Sequence, residues 1–139
     1  MLTQILKPDG EALALARRII EGGGLVGFPT ETVYGLGANA FDGDAVRSVY
    51  EVKGRPQDNP LIVHVHKDYD ISKIVCGIPA YAKKLAQKYL PGPLTMVFRS
   101  RGVISPVVSC GLDTVGIRVP SHPPAQQFLR YLGLPIPAP

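Results

Sequence analysis

The chain has 139 residues, of which 45% are hydrophobic and 19% charged, a composition typical of a globular domain with an apolar core. Its 15 glycines and 14 prolines make up about a fifth of the chain, below the roughly 25–30% that indicates low-complexity sequence. The net charge of +4 suits an anionic substrate or RNA and identifies neither. We therefore expect one domain over residues 1–139.

The sequence carries no sign of export or of a membrane span. Cys76 and Cys110 are far apart and form no CxxC pair, so neither a disulfide framework nor a zinc ribbon is indicated. Residues 1–10 lack the apolar core of a signal peptide, and no apolar run approaches the ~20 residues that span a bilayer. The prediction is a soluble, cytoplasmic protein with reduced thiols and no membrane contact.

The first part of the chain is predicted to form a helix, a strand and a polar loop. Asp9 can cap a helix whose apolar residues recur at helical spacing and which the glycines at 22–24 end. Residues 25–28 (LVGF) are typical of a short buried strand. Pro29 stops this strand, and the hydroxyl and glycine residues of 30–37 follow it.

Helices and strands continue to alternate along the rest of the chain. Further helices are predicted from the Asp42 cap to the residue before Lys53, from Pro79 to Tyr89 and over residues 126–132. Further strands are predicted over residues 61–66, 94–98 and 114–119. This alternation predicts an α/β domain built on a twisted sheet.

Residues 134–139 (LPIPAP) allow two interpretations. They form either a frayed, proline-rich tail or an apolar strand that arrives at a turn. In the second interpretation the chain lacks its next loop, and we expect a domain that misses its C-terminal portion.

The polar run at residues 30–37 (TETVYGLG) is a candidate ligand site. It places hydroxyls, a carboxylate and glycines directly after a strand, where α/β proteins assemble such sites. An ordinary turn, in which threonines bond to their own backbone, accounts for the same residues. The spacing is not that of a Walker phosphate loop.

A second candidate lies in the basic segment that follows the predicted second helix. Lys53 and Arg55 flank a glycine, so a point charge and a guanidinium fork can grip a triphosphate together. Alternatively, both cations complement the negative C-terminal end of the helix and stay solvated. The amide of Asn59 can bind a phosphate or a base, or it can serve in a turn.

Arg118 and two histidines lie within predicted strands. An unpaired cation is costly inside the apolar segment 115–119, so Arg118 is expected to have an anionic partner, either a structural carboxylate or a bound one.

His64 and His66 share one strand face, as metal ligands would, but no third ligand is evident. We therefore predict no metal site, and interpret the histidines as core residues or hydrogen-bond partners of a substrate. No nucleophile elbow is present, so the site is predicted to act by positioning.

Four motifs occur in a specific order, namely residues 28–37 (FPTETVYGLG), 53–61 (KGRPQDNPL), 91–95 (PGPLT) and 116–120 (GIRVP). Together they resemble the YrdC-like family of threonylcarbamoyl-adenylate synthases over nearly the whole chain. The resemblance implies an α/β fold, with an open, twisted mixed sheet and flanking helices of the YrdC/RibB type, around a basic concave cleft. It also implies that family members continue beyond the equivalent of Pro139 with a Ser-Ala-Asn motif that contributes to the site.

The same resemblance implies roles for individual residues. The residues implied to hold L-threonine, with the arginine pairing its carboxylate, are Thr32, His64 and Arg118. The residues implied to face the nucleotide phosphates are Lys53, Arg55, Asn59 and Thr114. Of these, the two cations of the basic segment, Lys53 and Arg55, are implied to be catalytic.

The implied reaction consumes ATP, L-threonine and bicarbonate. The threonine amine becomes a carbamate, whose oxygen attacks the α-phosphorus and expels pyrophosphate, and the product serves threonylcarbamoyladenosine modification of tRNA. Proximity and charge neutralisation would supply most of the catalysis. Mg²⁺ would accompany the ATP, held by phosphate oxygens and water rather than by a protein cage, and tRNA and the threonylcarbamoyl-transfer machinery are implied partners.

Two other functions fit parts of the sequence. A basic α/β module can recognise tRNA or double-stranded RNA by shape and charge without chemistry, and its binding would be sensitive to salt. A domain of a carbamoyl-transfer protein that uses carbamoyl phosphate is the third interpretation, although the sequence has no zinc-finger or acylphosphatase-like segment. Threonine-dependent pyrophosphate release separates the synthase from the RNA-binding module.

Overall fold

The structure is a computed structural model that describes residues 3–139, so the sequence features of residues 1 and 2 lie outside it. The helices are α1 (Gly10–Glu21), α2 (Gly43–Lys53), α3 (Ala80–Tyr89) and α4 (Pro123–Leu132). The strands are β1 (Val26–Phe28), β2 (Gly35–Gly37), β3 (Ile62–His64), β4 (Val75–Cys76), β5 (Thr95–Ser100), β6 (Thr114–Arg118) and β7 (Ile136–Ala138). None of the helices in residues 3–139 has the length and apolar character that a bilayer crossing needs.

Aspartate caps fix where the first two helices begin. The Asp9 carboxylate accepts a hydrogen bond from the backbone N–H of Ala12 at 2.8 Å. Asp42 does the same for Ala45 at 3.2 Å. Each bond satisfies a backbone donor that the first helical turn leaves unpaired, as the sequence predicted. Gly54 ends α2 in the left-handed conformation, with φ of 61°, and turns the chain into the basic segment.

The strands form a two-stranded hairpin and a five-stranded mixed sheet. In the hairpin, β1 pairs with β2 in antiparallel fashion. The larger sheet has the order β4-β5-β6-β3-β7, in which only β3 and β6 run parallel. The predicted α/β fold class with a mixed sheet is thereby confirmed.

Strand pairing assigns the side chains of the central strands to two faces, because directly paired residues point to the same side. The front face, as we call it, carries Thr95, Val97 and Arg99 of β5, Thr114, Gly116 and Arg118 of β6, and Ile62 and His64 of β3. The back face carries apolar side chains such as Ile117, which join α2 and α3 in the main core.

The hairpin covers the part of the front face formed by β3 and β7. A Cβ on Gly35 would lie 3.3 Å from the Cβ of Ala138, and a Cβ on Gly37 would collide with Ile136. These two glycines therefore allow the hairpin to pack closely onto β7. The part of the front face formed by β5 and β6 stays open, as the 66% exposure of Val97 shows.

Several element boundaries differ from the sequence predictions. The last three residues of the predicted polar loop 30–37 form β2. Pro79 is the residue before α3 rather than its first residue, and α4 starts at Pro123 instead of Gln126, since the fixed φ of proline suits a first helical turn. Within residues 134–139, the strand interpretation is correct, because β7 is buried against β3.

Candidate functional site

Arg118, at the end of β6, has an internal anionic partner. Its Nη2 donates to the Glu31 carboxylate at 2.7 Å and to the Thr32 hydroxyl at 3.2 Å. The other oxygen of Glu31 accepts the backbone N–H of Ser121 at 2.9 Å. Of the two partners expected for Arg118, the structural carboxylate is therefore present, and it joins the loop after β1 to the end of β6.

Glu31 is ionised in this arrangement. Burial alone would raise the pKa of its carboxyl, but the hydrogen bonds from Arg118 and from backbone N–H groups outweigh burial and lower the pKa. The sequence prediction counted the Glu31 carboxylate within the candidate run 30–37 but gave it no role of its own. The available signals were a carboxylate in the polar run and an arginine that needed an anion, and nothing in the sequence connected the two.

Thr30 and Thr32 have different contacts in the loop, a difference that the sequence did not predict. The Thr30 hydroxyl accepts the backbone N–H groups of Thr32 at 3.3 Å and of Val33 at 3.2 Å, so it builds the turn. The Thr32 side chain is exposed and contacts Arg118. The turn interpretation thus describes Thr30, whose hydroxyl also lies 3.2 Å from that of Thr32.

His64 lies beside Arg118 in the register of β3 and β6. It is 4% exposed, and its Nδ1 lies 3.0 Å from the carbonyl oxygen of Ile62, so Nδ1 carries the proton and donates it. Burial, assisted by the positive charge of Arg118, lowers the pKa of His64 to about 4. The imidazole is neutral near pH 7, with a lone pair on Nε2.

The second predicted histidine does not join the first in a metal site. His66 lies beyond the end of β3, where its Nδ1 accepts the backbone N–H of Asp68 at 3.2 Å. Among residues 3–139 there is no group of three His, Cys, Asp or Glu side chains that could hold a metal ion.

Residues 55–60, which follow α2, are held together by hydrogen bonds from Arg55 to backbone carbonyls. Arg55 donates from Nε to the carbonyl of Asn59 at 3.2 Å and from Nη2 to that of Pro60 at 3.0 Å. Lys53 is exposed in the last turn of α2, as the helix-end interpretation expected, and the Asn59 side chain is also exposed. Arg55 instead folds the segment 55–60 onto itself, which neither interpretation predicted.

The predicted residues occupy two ends of the parallel pair β3–β6. Asn59 and Thr114 lie where these strands begin, and His64 and Arg118 lie where they end. Thr114 and Arg118 are both on the front face, four residues apart, which corresponds to roughly 13 Å along a strand. The residues predicted to bind threonine and those predicted to face the phosphates therefore form two groups, one at each end of the strand pair.

A cavity of about 480 Å³ lies on the opposite side of the sheet. Ile117 and Val119, the back-face neighbours of Arg118, help to line it, and most of its other lining residues are apolar. It contains none of the predicted site residues. The polar and charged groups that suit an anionic ligand face the open front instead.

Comparison with known proteins assigns the family. The family model described as "Telomere recombination", which covers Sua5, YciO and YrdC, matches residues 18–139. The chain belongs to the Sua5/YciO/YrdC family. The resemblance of its motifs to YrdC-like proteins is thereby confirmed.

Relatives within the Sua5/YciO/YrdC family are longer than this chain. The threonylcarbamoyl-AMP synthase of Bacillus subtilis (strain 168) is 45% identical over 139 residues, which cover 99% of this chain and 40% of the relative. That of Pyrococcus abyssi is 46% identical over 127 residues, covering 91% and 37%. The crystal structure of P. abyssi Sua5 complexed with L-threonine has 43% identity and a TM-score of 0.89, covering 98% of this chain and 39% of that one. The chain thus spans about two fifths of these relatives.

Proposed function

We propose that this chain carries the threonine and nucleotide sites of a threonylcarbamoyl-AMP synthase. The observation that carries the proposal is the grouping of Arg118, Thr32 and neutral His64 at the edge of the open front face. The similarity to a family member complexed with L-threonine supports it. So does the name threonylcarbamoyl-AMP synthase, which several relatives share.

Arg118 is the proposed partner of the threonine carboxylate. Its Nη2 is engaged by Glu31 and Thr32, whereas its Nε is buried with no hydrogen-bond partner among residues 3–139. Its Nη1 makes no hydrogen bond among residues 3–139 and is not buried, so the N–H groups of Nη1 are the donors that a carboxylate can reach.

The nucleotide is proposed to bind at the other end of β3 and β6. Lys53 would supply a mobile point charge to the triphosphate, and the folded segment 55–60 would present Arg55 and Asn59. Thr114 would contribute a hydroxyl from the front face. Mg²⁺ would arrive with the ATP and neutralise phosphate charge, with phosphate oxygens and water as its main ligands.

The proposed chemistry joins the two ends of the site. The threonine amine and bicarbonate give a carbamate and water, and a carbamate oxygen then attacks the α-phosphorus of ATP with loss of pyrophosphate. The residues hold both substrates in line and offset the negative charge at phosphorus. The product would pass to the tRNA-modification machinery, which makes tRNA the final acceptor.

The test is pyrophosphate release from ATP and bicarbonate by this chain, with and without L-threonine. Arg118→Ala is the test variant. Arg47→Ala is its matched control, because Arg47 pairs with Asp44 on the exposed side of α2. We expect threonine-dependent release that Arg118→Ala abolishes and Arg47→Ala preserves.

The other outcomes are equally informative. Calorimetric binding of L-threonine without pyrophosphate release would assign binding, but not the reaction, to this chain. Binding of neither threonine nor ATP would overturn the proposal. Salt-sensitive RNA binding in that situation would favour the RNA-binding module, since counterion release governs such binding.

A further inference from the structure

Glu31 links two segments that are far apart in sequence. One carboxylate oxygen accepts from Arg118 at 2.7 Å and the other accepts from the backbone of Ser121 at 2.9 Å. The side chains of Glu31 and Arg118 are only 18% and 15% exposed. Water therefore screens this pair less than it screens the surface pairs of the molecule.

The Arg118 side chain has few other restraints. Its backbone is fixed, because the flanking residues Ile117 and Val119 are buried on the back face. Beyond Glu31, its guanidinium makes one hydrogen bond among residues 3–139, a 3.2 Å contact with the exposed hydroxyl of Thr32. An arginine side chain loses much rotamer freedom when it is ordered, so one of its contacts must supply that restraint.

We infer that Glu31 is a positioning residue, which holds the Arg118 guanidinium in the orientation that receives the threonine carboxylate. This inference rests on the proposed function. Glu31 takes one nitrogen of the guanidinium, Nη2, and leaves Nη1, which is not buried, without a partner among the described residues. A carboxylate ligand then meets an arginine that is already ordered, so binding does not bear the cost of ordering it.

A competing role for Glu31 predicts the opposite result. If Glu31 merely occupied Arg118 until substrate arrived, its removal would free the cation and strengthen threonine binding. If Glu31 positions Arg118, its removal weakens binding although it makes the site more positive. The sign of the change in affinity therefore separates the two roles.

The variants follow from the two bonds of the carboxylate. In Glu31→Gln an NH₂ group replaces one carboxylate oxygen, so either Arg118 or Ser121 would face a donor and lose its bond. Glu31→Ala removes both bonds. Glu21→Gln is the matched control, because it breaks the exposed Arg17–Glu21 pair on α1. Calorimetry measures L-threonine and ATP binding, and ¹⁵N NMR follows the Arg118 Nε–H signal, which is assigned by its loss in Arg118→Lys.

For both Glu31 variants we expect L-threonine binding about tenfold weaker, the change that corresponds to one lost charge-assisted hydrogen bond. ATP binding should be unchanged, since its proposed residues lie at the other end of β3 and β6. The Arg118 Nε–H should exchange with water slowly in the wild type and in Glu21→Gln, and quickly in the Glu31 variants. Weaker binding of both ligands together with a lower Tm would indicate a general structural role and overturn the inference.

The inference and the proposed function can fail separately. An unchanged Nε–H signal in the Glu31 variants, or tighter threonine binding, would overturn the positioning role. The wild-type chain could also bind no threonine and still show a protected Nε–H that depends on Glu31. In that case Glu31 orders Arg118, but both the proposed function and the role of this ordering in binding threonine are overturned.

Discussion

His64 and Arg118 are direct neighbours on the parallel strands β3 and β6, and both side chains lie on the front face. Two cations at this spacing would repel each other, and the fold avoids this by keeping His64 buried and neutral. Burial and the charge of Arg118 together lower the pKa of His64 to about 4. Near neutral pH, this pair therefore carries one positive charge, on Arg118.

This arrangement predicts that acid destabilises the fold through His64. The unfolded chain takes up the histidine proton near pH 6.5, whereas the folded chain does so only near pH 4. Between these values the unfolded state binds more protons, so the free energy of unfolding falls as the pH drops from 6.5 towards 4. From pH 7 to pH 5 the loss should be about 2 kcal/mol, measured by urea denaturation.

The control for this prediction is His64→Gln, which removes the titration. The pH dependence between 7 and 5 should shrink by most of those 2 kcal/mol. Glu31 does not interfere in this range, because its pKa lies below 4.5 and its stabilising contribution is lost only at lower pH. An identical pH profile in the two proteins would show that His64 titrates normally.

Lys53 and Arg55 are predicted to differ in how their loss affects stability. Lys53 is exposed and makes no hydrogen bond or ion pair within residues 3–139, so Lys53→Ala should weaken ATP binding and leave the Tm unchanged. Arg55→Ala should weaken ATP binding and also cost roughly 1–2 kcal/mol of stability, because Arg55 binds the carbonyls of Asn59 and Pro60. Calorimetry and thermal denaturation measure the two effects.

Lys84→Ala, an exposed change on α3, is the control for this comparison. It should alter neither ATP affinity nor Tm. Equal Tm values for Lys53→Ala and Arg55→Ala would show that the Arg55 contacts contribute no net stability.

The Tyr50 hydroxyl is predicted to stabilise the fold by binding the backbone near Asn59 and Val107. The residue is 1% exposed, and its one O–H proton can be shared between the carbonyl oxygens of Asn59 at 3.2 Å and Val107 at 3.3 Å. Burial and the neighbouring Cys110 raise the pKa of this phenol, so it stays protonated and can donate. Tyr50→Phe should lower the free energy of unfolding by about 1 kcal/mol, whereas Tyr81→Phe, on a 70% exposed residue, should leave it unchanged.

The sequence predicted the features that depend on residues close together along the chain. The caps at Asp9 and Asp42 are local hydrogen bonds, and apolar spacing alone indicated the core faces of the helices. It also predicted that Arg118 needs an anion, because a strand of apolar residues cannot bury a free cation. It did not identify Glu31 as that anion, because their contact depends on the tertiary fold rather than on local pattern.

The sequence analysis also missed the strands β2 and β4, and the reason is again that they depend on the tertiary fold. β4 has two residues, and β2 is the glycine-rich Gly35–Gly37. Neither carries a period of alternating apolar residues, and glycine disfavours a strand by itself. β2 forms because it pairs with β1 and packs against β7, and both contacts depend on the tertiary fold.

That packing leads to a final prediction on Gly37. A Cβ at this position would collide with Ile136 and would lie 3.0 Å from the ring of Phe28, so Gly37→Ala should destabilise the fold by about 1–3 kcal/mol. It should also weaken L-threonine binding, because β2 is continuous with the loop that carries Glu31 and Thr32. Gly10→Ala is the control, since a Cβ there meets nothing within 4 Å, and it should be neutral or slightly stabilising. Urea denaturation and calorimetry measure both effects, and a fully stable Gly37→Ala would contradict the close packing of the hairpin on β7.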